Sequence, residues 1–206
     1  MSRWGKSLER RALILERAGE EFLDRGFAEA SMDQISDAVG CSKGTLYVYF
    51  GSKDELFAES ITAEIARRVA ITFSFAEPAG DVKATLRSIG CGYVAMFTDA
   101  TVLAIYRSVI HERRRFPEIG RRFMDAGPRN ARQMLSGYLA DAAKAGALTA
   151  IADVNLAAQQ FLALCQGQLL HDLLLGAAET PNRREIERQV DVALSAFFAI
   201  YPARSG

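Results

Sequence analysis

Apolar residues recur at a spacing near 3.6 along almost the whole 206-residue chain, and this spacing places them on one side of an α-helix. The period-two alternation that is typical of β-strands is nearly absent. The chain is therefore predicted to be all-α. Helix start and stop signals predict about nine helices, over residues 7–25, 31–40, 42–50, 53–75, 81–97, 101–115, 117–146 with a kink at Gly127-Pro128, 153–176 and 182–201.

The composition excludes several classes of protein. Half of the residues are hydrophobic, 24% are charged and only 5 are proline, which excludes a collagen, a disordered tail and a loop-rich disulfide scaffold. Apolar runs fall short of the roughly 18 residues that a membrane span needs. The first residues carry charge in place of an apolar core, so no secretory signal is visible. We expect a soluble, cytoplasmic protein.

Charged and metal-ligating residues constrain the chemistry. Basic and acidic residues balance at 25 each, so bulk charge does not argue for nucleic acid, and any site for a polyanion must be local. The 3 cysteines and 2 histidines lack metal-ligand spacing, and no metal or cofactor is predicted. The cysteines are interpreted as reduced, buried thiols, with a redox role for Cys41 as the alternative. We find no recognisable catalytic constellation or phosphate-binding glycine loop, and predict that the chain is not an enzyme.

Residues 31–50 read as two short helices joined by a turn, which is the helix-turn-helix layout. Ser31 and Gln34 form a capping-box pattern, Gly40 ends the first helix and Ser42 can cap the second. The apolar positions face inward, and the remaining polar or small residues suit contact with phosphates and base edges. The candidate DNA-binding residues are Ser42, Lys43, Gly44, Thr45, Tyr47, Tyr49 and Lys53.

The segment from Ser31-Met32-Asp33 to Leu56-Phe57, with Gly40-Cys41-Ser42-Lys43-Gly44-Thr45-Leu46-Tyr47 at its centre, resembles the DNA-binding domain of the tetracycline-repressor (TetR) family. The resemblance implies a homodimeric transcriptional regulator, usually a repressor, whose C-terminal domain binds a small molecule and thereby weakens operator binding. It implies base and phosphate contacts for Thr45 and Tyr47, phosphate clamps at Tyr49 and Lys53, and a groove contact for Lys43. Cys41 and Val39 depart from the usual family residues.

Two domains are expected, a helix-turn-helix domain over residues 1–52 and a helical ligand-binding and dimerisation domain over residues 53–206. The strongest punctuation, Glu77-Pro78-Ala79-Gly80, follows a long fourth helix that joins both. Residues 105–138 resemble the C-terminal domain of the AefR-like branch of the family. In this family the effector cavity lies between the middle helices. For an apolar or amphipathic effector of unknown identity, the resemblance makes these residues candidates: Tyr93, Phe97, Tyr106, Ile110, His111, Phe123, Met124, Phe161, Cys165 and Gln168.

The last two predicted helices carry wide apolar faces, and a monomer of this size would struggle to bury both. We expect a dimeric four-helix bundle, with internal packing as the alternative. The candidate interface residues are Leu169, Leu173, Val190, Leu194, Phe197, Phe198 and Tyr201. Residues 107–132 are rich in arginine, which indicates a solvated helix face, with an anion-attracting entrance or an interface as the alternatives. A protein-interaction module in which the helix-turn-helix is only structural remains a second candidate function.

Overall fold

The computed structural model describes residues 3–74, 81–149 and 151–203, with side chains from residue 7 onward. These residues form helices and, apart from a single antiparallel bridge between Leu148 and Ala203, no strand pairing. The all-α prediction is confirmed. The helices are α1 (Arg3–Glu29), α2 (Met32–Val39), α3 (Lys43–Tyr49), α4 (Lys53–Thr72), α5 (Val82–Thr98), α6 (Ala100–Glu112), α7 (Pro117–Met124), a π-helical turn (Asp125–Arg129), α8 (Asn130–Lys144), α9 (Val154–Gln166), α10 (Leu169–Leu175) and α11 (Arg183–Ile200).

The chain divides into two compact units. The first contains Met1–Arg67 and Ala104–Ala126, and the second contains Arg68–Leu103 and Gly127–Gly206. Helices α4 and α6 therefore contribute residues to both units. The domain boundary between residues 52 and 53 stays a prediction, and the predicted break at residues 77–80 lies outside the described residues. Of the helices the structure describes, none alone has the length and apolar composition to cross a membrane, and the bent pair α5 and α6 meets that test by length and composition only.

Two of the predicted helices are each divided in the structure. The predicted kink at Gly127-Pro128 lies inside the π-helical turn, where proline, which has no N–H to donate, is accommodated between α7 and α8. The single helix predicted over residues 153–176 is wrong, because Gly167 adopts φ +51° and ψ −135° and separates α9 from α10. The side-chain amide of Gln189 on α11 donates to the carbonyls of Cys165 and Gln166, which satisfies groups that the break frees.

The core of the second unit is built where α5, α9 and α11 meet, with α8 packed on α9. Gly90 on α5 allows this close approach, since a Cβ placed there would lie 2.7 Å from Cγ1 of Val190 and 3.3 Å from Sγ of Cys165. The guanidinium of Arg87, one turn earlier on α5, donates to both carboxylate oxygens of Asp191 on α11 at 2.7 and 3.1 Å. These helices therefore leave no space beside Gly90 for a bound molecule.

Candidate nucleic-acid interface

Side-chain caps fix the two short helices of the helix-turn-helix. Ser31 Oγ accepts from the Gln34 amide at 3.2 Å, and the Gln34 side chain accepts from the Ser31 amide at 2.9 Å, so the predicted capping box is confirmed. Ser42 Oγ accepts from the Thr45 amide at 3.1 Å and shares a 2.8 Å hydrogen bond with Thr45 Oγ1. Each cap satisfies an amide that a helix start otherwise leaves without a partner.

The turn between α2 and α3 depends on one glycine. Gly40 has φ +70° and ψ +45°, the left-handed conformation that glycine adopts without a steric penalty. With the chain reversed there, the Cys41 amide donates to the Ser36 carbonyl at 2.9 Å and closes the end of α2. Cys41 is half-buried in this turn. The end of α2 is therefore closed by residues that lie close together in the sequence.

Helix α2 packs on α1 and α3 packs on α2, which buries the inner faces of both short helices. Ile35, Leu46 and Phe50 have 1% exposure or less, as the sequence predicts for this layout. Arg11 of α1 lies 5.0 Å above the Phe50 ring and forms an ion pair with Glu59 of α4. Within the part of the chain that the structure describes, the opposite side of α3 is largely exposed, and we call it the free face of α3.

The free face of α3 carries Lys43, Gly44, Tyr47 and Val48, all of which are exposed. Tyr47 is 47% exposed and Val48 is 84% exposed. Sequence reasoning missed Val48. Its position two residues after buried Leu46 was the available signal, because two residues turn a helix by about 200° and place the side chain on the opposite side. A large apolar side chain that points to solvent here is available to a partner.

Lys43 is held at the edge of this face. Its ammonium donates to Asp33 Oδ2 at 2.9 Å, and both side chains are about half exposed or more. The hydrogen bond and charge of Asp33 raise the pKa of Lys43 above its ordinary value. An exposed pair of this kind contributes little to stability, so Lys43 can exchange Asp33 for a phosphate at small cost.

Lys53, at the first position of α4, lies over an aromatic ring. Its ammonium is 4.4 Å from the centroid of the Phe27 ring and donates to the Ala28 carbonyl at 3.4 Å. Burial lowers the pKa of Lys53, and the nearby charge of Arg115 lowers it further. Among the described residues, the hydrogen-bond partner of Lys53 is the Ala28 carbonyl and not a carboxylate. Tyr49 is half-buried beside Phe50, with its ring 6.4 Å away.

The candidate ligand residues fall into two groups. One group lies in the first unit and the other in the second, with local contacts such as Tyr106 on Phe123 at 4.7 Å and Tyr93 on Phe97 at 5.3 Å between ring centroids. Tyr93 donates to Gln166 at 3.1 Å. Phe161 and Cys165 are buried in the core of the second unit. Four candidates are exposed, namely Ile110, His111, Met124 and Gln168, and the assignment of the ten candidates to an effector site stays a prediction.

The candidate dimer residues are mostly buried within a single chain. Val190, Leu194 and Phe197 of α11 lie in the core of the second unit, and Leu173 of α10 is buried as well, while the assignment of the seven candidates to a dimer interface stays a prediction. Leu169, Phe198 and Tyr201 are half-buried, and Tyr201 donates to Gln160 at 2.6 Å. The fully packed residues are Leu173, Val190, Leu194 and Phe197.

Comparison with known proteins identifies the family. The profile described as "Bacterial regulatory proteins, tetR family" matches residues 14–60, and the profile of the AefR-like transcriptional repressor C-terminal domain matches residues 84–203, more than half of the chain. The chain belongs to the TetR family. The descriptions of the two profiles name bacterial regulatory proteins and a transcriptional repressor.

A TetR-family structure called the flavonoid-responsive regulator FrrA is 31% identical over 96% of this chain and 99% of its own, with a TM-score of 0.78. A solved structure from Mesorhizobium loti, described as a TetR-family regulator, is 22% identical over 98% of this chain and 99% of its own. Its TM-score of 0.87 shows that the two chains share a fold. The activator FasR of Mycolicibacterium smegmatis is 51% identical over 49 residues, 24% of this chain. The matches to FasR and two Bacillus subtilis regulators span only 22–29% of those proteins.

Proposed function

We propose that the chain is a homodimeric repressor that places α3 in the major groove of operator DNA and is released by an apolar or amphipathic effector. The observation that carries the proposal is the free face of α3, where Lys43, Gly44, Tyr47 and Val48 are exposed above a fully buried inner face. A helix of this size fits the major groove, and a rigid support fixes its approach to the bases.

The free face offers three kinds of contact to a duplex. Lys43 and Lys53 supply positive charge for phosphates, and the hydroxyls of Thr45 and Tyr47 can donate to phosphates or base edges. Gly44 brings the backbone close, because no side chain stands between it and a groove. Val48 offers an apolar contact of the kind that reads the methyl group of thymine. Ser42 acts indirectly as the cap that orders the start of α3.

A homodimer supplies two such helices at a fixed separation. Successive major grooves lie about 34 to 36 Å apart on one side of a duplex, so a two-fold related pair doubles the contact surface and sets the operator spacing. The proposed interface includes the half-buried candidates Leu169, Phe198 and Tyr201 together with apolar side chains that remain exposed on the last helices. These exposed side chains include Leu164 on α9 at 38%, Leu175 on α10 at 83% and Val192 on α11 at 68% exposure.

Release by an effector requires that ligand and operator prefer different conformations of the protein. A coupling of about 1–3 kcal/mol changes operator affinity roughly 5- to 150-fold. Helices α4 and α6 are the proposed link, because each contributes residues to both compact units. The name of the related regulator FrrA supports a planar aromatic effector such as a flavonoid. We place the protein in the cytoplasm, where its DNA is.

Selection of bound duplexes from a random pool tests the DNA-binding proposal. We expect the parent protein to recover a two-fold symmetric site. Tyr47→Ala is expected to have the melting temperature of the parent and to bind that site at least about tenfold more weakly. If Tyr47→Ala kept its affinity for the selected site, or lost affinity equally on non-specific DNA, the placement of α3 in the major groove would be contradicted. Titration of the complex with a flavonoid panel tests release, and unchanged affinity at saturating effector would count against that compound.

A further inference from the structure

Two cations from different parts of the chain share one aromatic ring in the first unit. The ammonium of Lys53 lies 4.4 Å from the centroid of Phe27, and the guanidinium carbon of Arg115 lies 4.9 Å from the same centroid. Arg115 belongs to the turn between α6 and α7, more than sixty residues along the chain from Lys53. The neighbouring Phe116 packs on Phe27 at 5.1 Å between centroids and fixes the backbone next to Arg115.

Acidic neighbours compensate this pair only weakly. The nearest carboxylate is Asp54, whose Oδ1 is 3.7 Å from Arg115, with both side chains 44% exposed or more. Glu112 and Glu29 act on Lys53 only at longer range, and Glu112 itself is bound to His111 at 2.8 Å. Burial lowers the pKa of Lys53, and the charge of Arg115 lowers it further because the two neighbouring cations repel each other.

Two like charges held together on a ring are stabilised when an anion joins them. A guanidinium adds a planar pair of donors to the compact charge of the ammonium, and this combination suits the oxygens of a phosphate diester. A phosphate would replace the long contact between Arg115 and Asp54 with a charge-assisted hydrogen bond. The chemistry of the pair therefore matches the backbone of a nucleic acid.

We propose that Arg115 and Lys53 form one backbone-phosphate site, so that the α6–α7 turn makes a DNA contact outside the helix-turn-helix. This inference rests on the proposed function, since it requires that DNA approaches α3 and the start of α4. Phe27 is the positioning residue that holds both cations. Within the arginine-rich segment 107–132, this proposal gives Arg115 a defined partner, a phosphate of the DNA backbone.

The test compares Arg115→Gln with Arg114→Gln, which removes the same charge from the adjacent exposed residue. Each lost phosphate contact reduces the magnitude of the negative slope of log affinity against log salt by about 0.9, so loss of both copies in a dimer reduces it by about 1.8. When salt is raised from 50 to 200 mM, the fall in the affinity of Arg115→Gln is then expected to be about tenfold smaller than the fall in the affinity of the parent protein. Arg114→Gln is expected to keep the parental slope, as is Arg115→Lys.

The outcomes separate this inference from the proposed function. An unchanged slope for Arg115→Gln, or an equal change for Arg114→Gln, overturns the phosphate site while sequence-specific binding stands. A parent protein that recovers no specific duplex refutes the proposed function itself. The side chain of Arg115 is 62% exposed, and a matching melting temperature will verify that the variant is folded.

Discussion

Substituting Gly90 by alanine tests the packing of α5 against α9 and α11. The new methyl group would lie 2.7 Å from Cγ1 of Val190 and 3.3 Å from Cζ of Phe161, distances at which these neighbours must move. Overpacking of a core costs about 1–3 kcal/mol. Alanine in place of a helical glycine gains about 1 kcal/mol, so the net loss is about 0–2 kcal/mol. For a chain of this size, each kilocalorie lowers the melting temperature by about 2–4 °C.

Gly137→Ala is the matched control for this substitution. Gly137 lies inside α8 of the same unit, is exposed, and a Cβ there meets nothing within 4 Å. Only the gain in helix propensity applies, and the melting temperature is expected to rise by about 2–4 °C. Scanning calorimetry of the two variants beside the parent gives both values. A rise for Gly90→Ala equal to that of Gly137→Ala would refute the close approach of the three helices.

Three further predictions concern the candidate site and the thiols. Gly44→Ala is expected to raise the free energy of unfolding by up to about 1 kcal/mol in thermal unfolding, because its Cβ would meet only Ser42 Oγ at 3.7 Å. The same substitution is expected to weaken operator binding. An unimpaired affinity would contradict the close approach of the backbone to DNA. Replacing a contacted thymine with deoxyuridine removes one methyl group and is expected to lower the operator affinity of the parent protein about fourfold. The affinity of Val48→Ala is expected to stay the same after this replacement. Equal losses for both proteins would show that Val48 takes no part in base recognition. Burial raises the pKa of the Cys165 thiol to about 12, so at pH 8 it stays protonated and resists alkylation in the native protein, and rapid labelling seen by mass spectrometry would contradict this.

Local signals in the sequence predict much of the helix-turn-helix. The Ser31 capping box, the Gly40 turn and the Ser42 cap each depend on residues within four positions of one another, and all are present. Their geometry is set by backbone hydrogen bonds that nearby side chains complete, so it can be read without knowledge of the rest of the fold.

Features that depend on distant residues could not be predicted in this way. The break at Gly167 is supported by Gln189 of α11, and an isolated glycine in a helical pattern does not by itself indicate a break. Periodicity identifies Val190 and Phe197 as one apolar face, but it does not say whether α9 or a second chain covers that face. The placement of Lys53 and Arg115 on Phe27 likewise joins three separate segments of the sequence.

The central claim is that α3 from two related subunits occupies the major groove. Protection of guanine N7 from dimethyl sulfate on the selected duplex tests it directly, since N7 lies on the major-groove edge of guanine. We predict two clusters of protected guanines about 10 base pairs apart in the parent complex, and none with Tyr47→Ala at the same protein concentration. A bound complex in which every guanine N7 stays reactive would contradict the account.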